Sequence, residues 1–432
     1  MNYPLNKIYL SRKFLLICFK FKISKFSCLS YSKIKKQNLF MMQKWQRTFD
    51  TMVFYSAILF TNYSPGTLGW KFYKNRKGKV AFLTRDFICD TETLMKLPPN
   101  ESSLDELTTA FSPFIPLLTL NGLFWKKRRT IFVHGVRKID LDQTLDYTIP
   151  YKKGDIYWDI YSLVFKTGFK LIFGRECTLE EFNALYPGIV DINKLIKRQS
   201  GLANFILRQK LYDKMLTLLN EKNEKFIFND CKEFDQLEEI HKISIIVEDL
   251  LTSLCIQCTD LICHLCLLYS QYSNAFKENL DNCINETLRL FPLTDIWTRK
   301  ATDKNRGWMA SLMLLNRAGW ENPDEFISER WNTKNHPPLI SWGFDSRSCP
   351  ASNIGYNLSK QIFTKAFLTK NVWVVPASNF KHDRTFSSGC QVWIGKGNRP
   401  LNSKWKYKRK WQKIFQQWWY GKLRLIDQKE LW

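Results

Sequence analysis

Three groups of residues in this chain have types and spacings suited to chemistry, and the sharpest of them centres on Cys349. The stretch Trp342-Gly343-Phe344-Asp345-Ser346-Arg347-Ser348-Cys349-Pro350-Ala351 places a cysteine just ahead of a helix start marked by Pro350. Backbone N–H groups and the positive end of a helix dipole favour a thiolate there, the sulfur species that ligates transition metals. Arg347, two residues earlier, is placed to meet a negative group. A structural cysteine buried in a loop is the plain alternative. Upstream, Trp125 and Arg129 stand one helical turn apart and can offer an indole N–H and a guanidinium to the same anion.

Glu286 and Arg289 share a helix face in Asn285-Glu286-Thr287-Leu288-Arg289-Leu290-Phe291-Pro292. On a surface such a pair contributes little; the apolar flanks here favour a buried, structural pair. Arg330, in the stretch from Asn322 to Trp331, is expected to join them and to give the carboxylate a planar, bidentate partner. A buried charge needs a satisfied network of this kind.

The third group is Cys255, Cys258, Cys263 and Cys266, two C-x-x-C pairs that could suggest zinc or an iron–sulfur cluster. They lie in one apolar helical run. At about 1.5 Å rise per residue the outer two would stand roughly 16 Å apart, too far for ligands that approach one metal at about 2.3 Å.

The elements that must position these residues read as mostly helical. A helix is expected within Ala110–Phe132, amphipathic helices over Asp155–Phe173 and Leu202–Asn229, and a long buried helix over Ile243–Tyr272. Helix continues over Phe276–Phe291, with Phe276, Leu280, Ile284, Leu288 and Phe291 on one face. Beyond Pro292 the chain is loop-rich until a short helix between Pro350 and Leu368. Strand signals are few and there is no internal repeat.

Composition sets outer bounds. The 432 residues are 45% hydrophobic and 15% aromatic, which excludes a disordered chain, and can bury a large core. The twelve cysteines are scattered and often embedded in apolar runs such as Leu261-Ile262-Cys263, reading as free thiols in a reducing compartment. Net charge is +25, and no acidic residue precedes Asp50. This basic, Ser-rich start resembles a mitochondrial transit peptide; a secretory signal and a disordered basic segment are the alternatives. Near the other end, Lys404-Trp405-Lys406-Tyr407-Lys408-Arg409-Lys410-Trp411 interleaves cations with aromatics. That pattern suits phosphates or a membrane surface, so a basic surface-binding protein is a competing function class. A translated tail without function is the plain reading.

In their order along the chain, the patterns around Trp125, Glu286, Arg330 and Cys349 resemble the cytochrome P-450 family over roughly residues 86–368. The resemblance implies a mainly α fold with small β-sheets (α+β), carrying deletions. It implies three segments: a transit peptide or basic segment over 1–48, a haem-thiolate monooxygenase domain over 49–368, and a divergent basic, Trp-rich tail over 369–432. Cys349 would bind the iron of haem b, and Trp125, Arg129, Arg299 and Arg347 would hold its carboxylates. Glu286, Arg289 and Arg330 would form a structural triad. Insertion of one atom of O₂ into an organic substrate is the implied reaction. Gln257 and Thr259, in Leu254-Cys255-Ile256-Gln257-Cys258-Thr259, are the expected catalytic pair, with an amide where the family carries an acid.

The transit-like start resembles the mitochondrial branch. That implies the matrix side of the inner membrane, with the endoplasmic reticulum as alternative. It further implies steroid or ecdysteroid hydroxylation, a hydrophobic small-molecule substrate, an acidic ferredoxin-type electron donor suited to a basic surface, and peripheral membrane contact; no nucleic acid is expected. A haem-binding relic without turnover is the alternative. Three positions of the cysteine loop depart from the family: Trp342 replaces Phe, and Asp345 and Ala351 replace Gly. A helix between Thr259 and Glu286, and a strand hairpin between Arg299 and Met309, are expected to be missing.

Overall fold

The computed structural model describes residues 73–81, 85–97, 111–141, 157–196, 203–221, 224–294, 296–299, 307–375 and 391–395. All lie in one compact unit, Thr51–Trp432. The transit-like start and the stretch 404–411 fall outside the described residues.

Helices dominate: α1 (Gly122–Lys138), α2 (Tyr157–Phe173), α3 (Leu179–Ile196), α4 (Phe205–Asn220), α5 (Glu239–Glu278), α6 (Leu280–Leu290) and α7 (Ser352–Ala366). Strands β1 (Lys79–Ala81), β2 (Arg85–Ile88), β3 (Ile296–Arg299) and β4 (Gly307–Ser311) make one small sheet in the order β1-β2-β4-β3. Its β2–β4 pair is parallel and the other two pairs are antiparallel. Strands β5 (Asn371–Val375) and β6 (Gln391–Gly395) form a separate antiparallel ribbon. The architecture is mainly α with small sheets, as the sequence predicts.

Helix α5 is the axis of the core and packs against α2, α6 and α7. It is long and apolar enough to cross a bilayer, but 89% of its most apolar window is buried inside the protein, so its apolarity serves the core. Cys255, Cys258, Cys263 and Cys266 are buried free thiols along it, small apolar fillers at helix–helix contacts. Among the described residues no cluster of three or more His, Cys, Asp or Glu is placed to hold a metal ion. Two irregularities interrupt α5. Residues Ile245–Thr252 are wound as a π-helix, where Ser253 Oγ donates to Glu248 O at 2.8 Å. Tyr272 leaves helical geometry at φ −125°, ψ 39°.

Several boundaries differ from the sequence reading. Helix α1 begins at Gly122, because Pro113 and Pro116 precede a 3₁₀ turn at Leu117–Thr119 and Asn121 is extended. Gly122 itself takes φ +63°. Helix α2, expected to be amphipathic, is buried on most sides, with Tyr161, Val164, Phe165, Phe169 and Ile172 among its buried residues, because α3 and α5 both pack on it. Helix α4 stops at Asn220 rather than 229; past it, Phe228 stacks on Phe234 and Phe226 meets both rings edge-on, while the Ile227 N–H donates to Ile172 O of α2. Only Asn279 separates α5 from α6, and its side chain accepts the Asn282 N–H as an N-cap. The short helical stretch after the Tyr272 kink, ending at Glu278, lies between the long part of α5 and α6. Strands β3 and β4 pair directly. The boundary expected at Leu368 is followed at once by β5, whose Val372 is buried in the main core.

The start of α3 shows how the scaffold is fixed locally. Thr178 Oγ1 accepts the Glu181 N–H at 3.2 Å, and Glu181 Oε2 accepts the Thr178 N–H at 2.8 Å, a reciprocal capping box. Arg175 adds two bonds to the same carboxylate, at 2.6 and 2.9 Å. Arg175, aided by the Thr178 N–H, lowers the Glu181 carboxyl to about 2. A depressed acid stabilises the fold above its ordinary pKa and loses that contribution as pH falls through its folded value. Glu181→Gln should therefore cost about 1–2 kcal/mol near neutral pH in chemical denaturation. The gap from the wild-type chain should narrow as pH is lowered from 4.5 towards about 2. An unchanged gap across that window would contradict the assignment.

Candidate functional site

The site rests on Glu286, whose side chain is fully buried on α6. Arg289 fills it as a fork: Nε donates to Oε2 at 2.8 Å and Nη2 to Oε1 at 2.7 Å. The Ile327 N–H and the Trp331 indole N–H donate to the same carboxylate at 3.1 and 3.0 Å. Arg289 also donates to the carbonyls of Pro323 and Glu325 at 2.8 and 2.9 Å. Arg330, expected as the bidentate partner, instead approaches Glu286 through Nε alone at 3.5 Å. Its two Nη groups go to the carbonyls of Glu321 and Asn322, because the loop presents those oxygens across the fork. The bidentate role belongs to Arg289. Trp331 and Arg317 are members the sequence reading missed; Arg317 is buried and donates to Leu290 O at 2.9 Å. The neighbour relation of Trp331 to Arg330 was the available signal for the first, and none existed for the second.

This network reaches the cysteine loop through polar links. Leu288 O of α6 accepts the Ser341 hydroxyl at 2.8 Å, and Asn316 ties Ser341 and the Ile340 N–H together. Trp342 follows directly. The loop closes with the Cys349 N–H donating to Trp342 O at 2.6 Å and the Ser348 N–H to Asp345 O at 2.8 Å. Gly343 sits at φ +98°, and a Cβ there would stand 2.6 Å from Ser348 Cα, so the loop requires glycine at this point. Trp342 lies against α7, 3.2 Å from where a Cβ on Gly355 would fall.

Cys349 is a free thiol, exposed at its surface yet closely surrounded by protein. That surrounding pushes the thiol up, against the opposing pull of the Ala351 N–H and of Arg129. The expected thiolate-stabilising groups are thus in place, but without a counter-ion on the sulfur desolvation outweighs them.

A cationic cradle surrounds the loop. Trp125 carries Arg347 over its ring at 4.4 Å and Arg129 at 5.5 Å. Arg129 donates to Ser348 O at 2.8 Å, and Arg347 to Leu120 O and to Asn121 Oδ1. Arg299 ends β3 and pairs with Asp345 at 3.3 Å. The structure therefore brings Cys349, Trp125, Arg129 and Arg347 together, and links Arg299 to the same loop through Asp345. Asn121 is a further member with no sequence signal.

Gln257 and Thr259 are not brought together. Residues two apart on a helix point to different sides. Between them Cys258 meets Gly355 O of α7 at 3.7 Å. Gln257 Oε1 and Thr259 Oγ1 are each buried without a hydrogen-bond partner, as are Glu248 Oε1 and Thr252 Oγ1 on the π-helix. The sequence reading also passed over Asp249, which binds buried Arg128 at 2.6 Å and caps the Leu117 N–H at 2.7 Å. Burial raises Asp249 to about 6 despite Arg128.

Removing one partner from a buried ion pair leaves an uncompensated charge. Glu286→Ala should lower stability by about 3–5 kcal/mol in urea denaturation. A loss below about 1 kcal/mol, the range of an exposed pair, would show that the network does not hold the fold.

No protein-family model matches the sequence, and no curated protein matches it. Solved structures do. A retinoic acid-bound cyanobacterial CYP120A1 aligns with a TM-score of 0.56 at 16% identity, covering 73% of this chain and 91% of its own. A six-coordinated cytochrome P450 from Thermus thermophilus aligns at 0.51 and 13% identity, covering 76% and 98%. The cytochrome P450 CYP152N1, with myristic acid, aligns at 0.54 and 13%, covering 76% and 93%. Identities this low speak to fold alone: the chain has the cytochrome P450 fold, with deletions.

Proposed function

We propose that the chain is a haem-binding protein of the monooxygenase type, with Cys349 as the iron ligand. The observation that carries this is one accessible free thiol, receiving an N–H from Ala351, on a loop flanked by Trp125, Arg129 and Arg347. The donor set fits haem: a sulfur for iron, and guanidiniums for carboxylates. Arg299 supports the fit, because its buried Nε has no hydrogen-bond partner. Cys349 would hold the iron, and Arg129, Arg347 and Arg299 the carboxylates, with Trp125 as an aromatic wall. When bound, a thiolate-ligated haem supplies O₂ activation for inserting one oxygen atom into an organic substrate. Trp342 and Gly343 set the loop's shape, and the Ala351 N–H orients and stabilises the sulfur.

The proposed substrate is a hydrophobic small molecule, with steroids and ecdysteroids as the class to test. Ligands with long hydrocarbon parts in two structures of the same fold, retinoic acid and myristic acid, support a largely apolar substrate and not the steroid. An acidic ferredoxin-type donor is proposed from the net charge of +25. Mitochondrial placement is proposed from the acid-free start alone. A second reading, a haem binder without turnover, is favoured by Gln257, an amide two positions before Thr259 whose side chain points to a different side of the helix.

Expressed protein, reduced and treated with CO, should show a Soret band in the position of thiolate-ligated haem. Cys349→Ala should abolish that band. Absence of haem uptake by the wild-type chain would overturn the proposal, and turnover of O₂ without uncoupling would remove the second reading.

A further inference from the structure

Two arginines here meet carboxylates in different ways. Arg289 uses the edge formed by Nε and Nη2 as a complete fork on Glu286, at 2.8 and 2.7 Å. Arg299 presents the same edge only half filled: Nη2 reaches Asp345 Oδ2 at 3.3 Å, while its buried Nε has no hydrogen-bond partner. Its remaining Nη1 is on Thr298 O at 3.0 Å, and its cation lies 5.4 Å from the Trp308 ring. Asp345 is itself fixed from the other side, because Oδ1 accepts the Arg347 N–H at 2.8 Å. It also lies within electrostatic reach of Arg129. One protein carboxylate thus faces two guanidiniums, those of Arg299 and Arg129, and a backbone N–H, beside the accessible thiol.

From this geometry we propose that Asp345 is a built-in occupant of the Arg299 carboxylate seat, one that an incoming carboxylate ligand has to displace. The inference rests on the haem reading above and adds a competitor to it. A carboxylate gains most from an arginine when it takes both N–H groups of one edge. Asp345 holds one of the two at long range, so the fork is complete for a ligand only after Asp345 lets go. Binding is then an exchange of one carboxylate for another, and its affinity is set by the difference between them. Asn is the suitable replacement: its Oδ1 still accepts the Arg347 N–H and preserves the loop, while the negative charge on Arg299 is lost.

The test titrates full-length protein with hemin, reading the Soret band and the quenching of tryptophan fluorescence. It repeats the titration with metal-free protoporphyrin IX and with its dimethyl ester, which carries no carboxylate charge. Asp345→Asn should bind hemin and protoporphyrin IX about tenfold more tightly than wild type, with no gain for the ester. Adding Arg299→Gln should erase the gain. Without ligand, Asp345→Asn should melt slightly below wild type, yet show the larger hemin-induced rise in Tm. Asp345→Gly, which removes the side chain altogether, should give the same gain in a folded protein. Equal or weaker binding by both folded variants, with wild type still taking up hemin through Cys349, would overturn the competitor and leave the haem reading standing. No uptake by wild type or variants would overturn both.

Discussion

The structure depends on satisfying one buried carboxylate. Glu286 has no access to solvent, and an isolated charge in that position would cost several kcal/mol. The Arg289 fork, the Ile327 N–H and the Trp331 indole each meet it, with Arg330 at longer range. These donors come from the loop beyond α6 as well as from α6, so the ion pair fixes a segment with little regular structure of its own. The consequence extends further, since Ser341 is held on Leu288 O of the same helix and Trp342 begins the cysteine loop. The position of Cys349 is thus set from a charge network in another part of the chain.

The loop itself is built by backbone rather than by side-chain packing. Gly343 permits the close approach to Ser348, and the Cys349 N–H closes on Trp342 O. The side chains around it are mostly cationic, and their excess of positive charge is offset within the protein by Asp345, Ser348 O, Leu120 O and Asn121. Asp345 is held within this cradle by Arg299 Nη2 at 3.3 Å and by the Arg347 N–H at 2.8 Å.

What was legible in the sequence is what rests on short-range spacing. The i to i+3 placement of Glu286 and Arg289, the proline after Cys349 and the apolar run of α5 each dictate local geometry, and each appears in the structure. What was not legible depends on contacts distant in sequence. The fork of Arg330 is redirected by carbonyls of Glu321 and Asn322, and Arg347 is held by Asn121, some 226 positions away. The pairing of Arg299 with Asp345 joins a strand end to the cysteine loop. The same limit applies to α2, whose periodicity reads as amphipathic although two helices cover it. In α5 the periodicity concealed a π-helical stretch. Gln257 and Thr259 stand two positions apart and diverge as side chains, because a helix turns about 100° per residue.

We propose that Cys349 is the iron ligand of a haem held in this cradle. X-ray absorption at the iron edge of the hemin-loaded, full-length protein addresses it directly. A sulfur scatterer is expected in the first coordination shell of the wild-type chain, lost on Cys349→Ser while the fold is retained. Coordination by nitrogen and oxygen alone in the wild type, or a sulfur signal that survives Cys349→Ser, would contradict it.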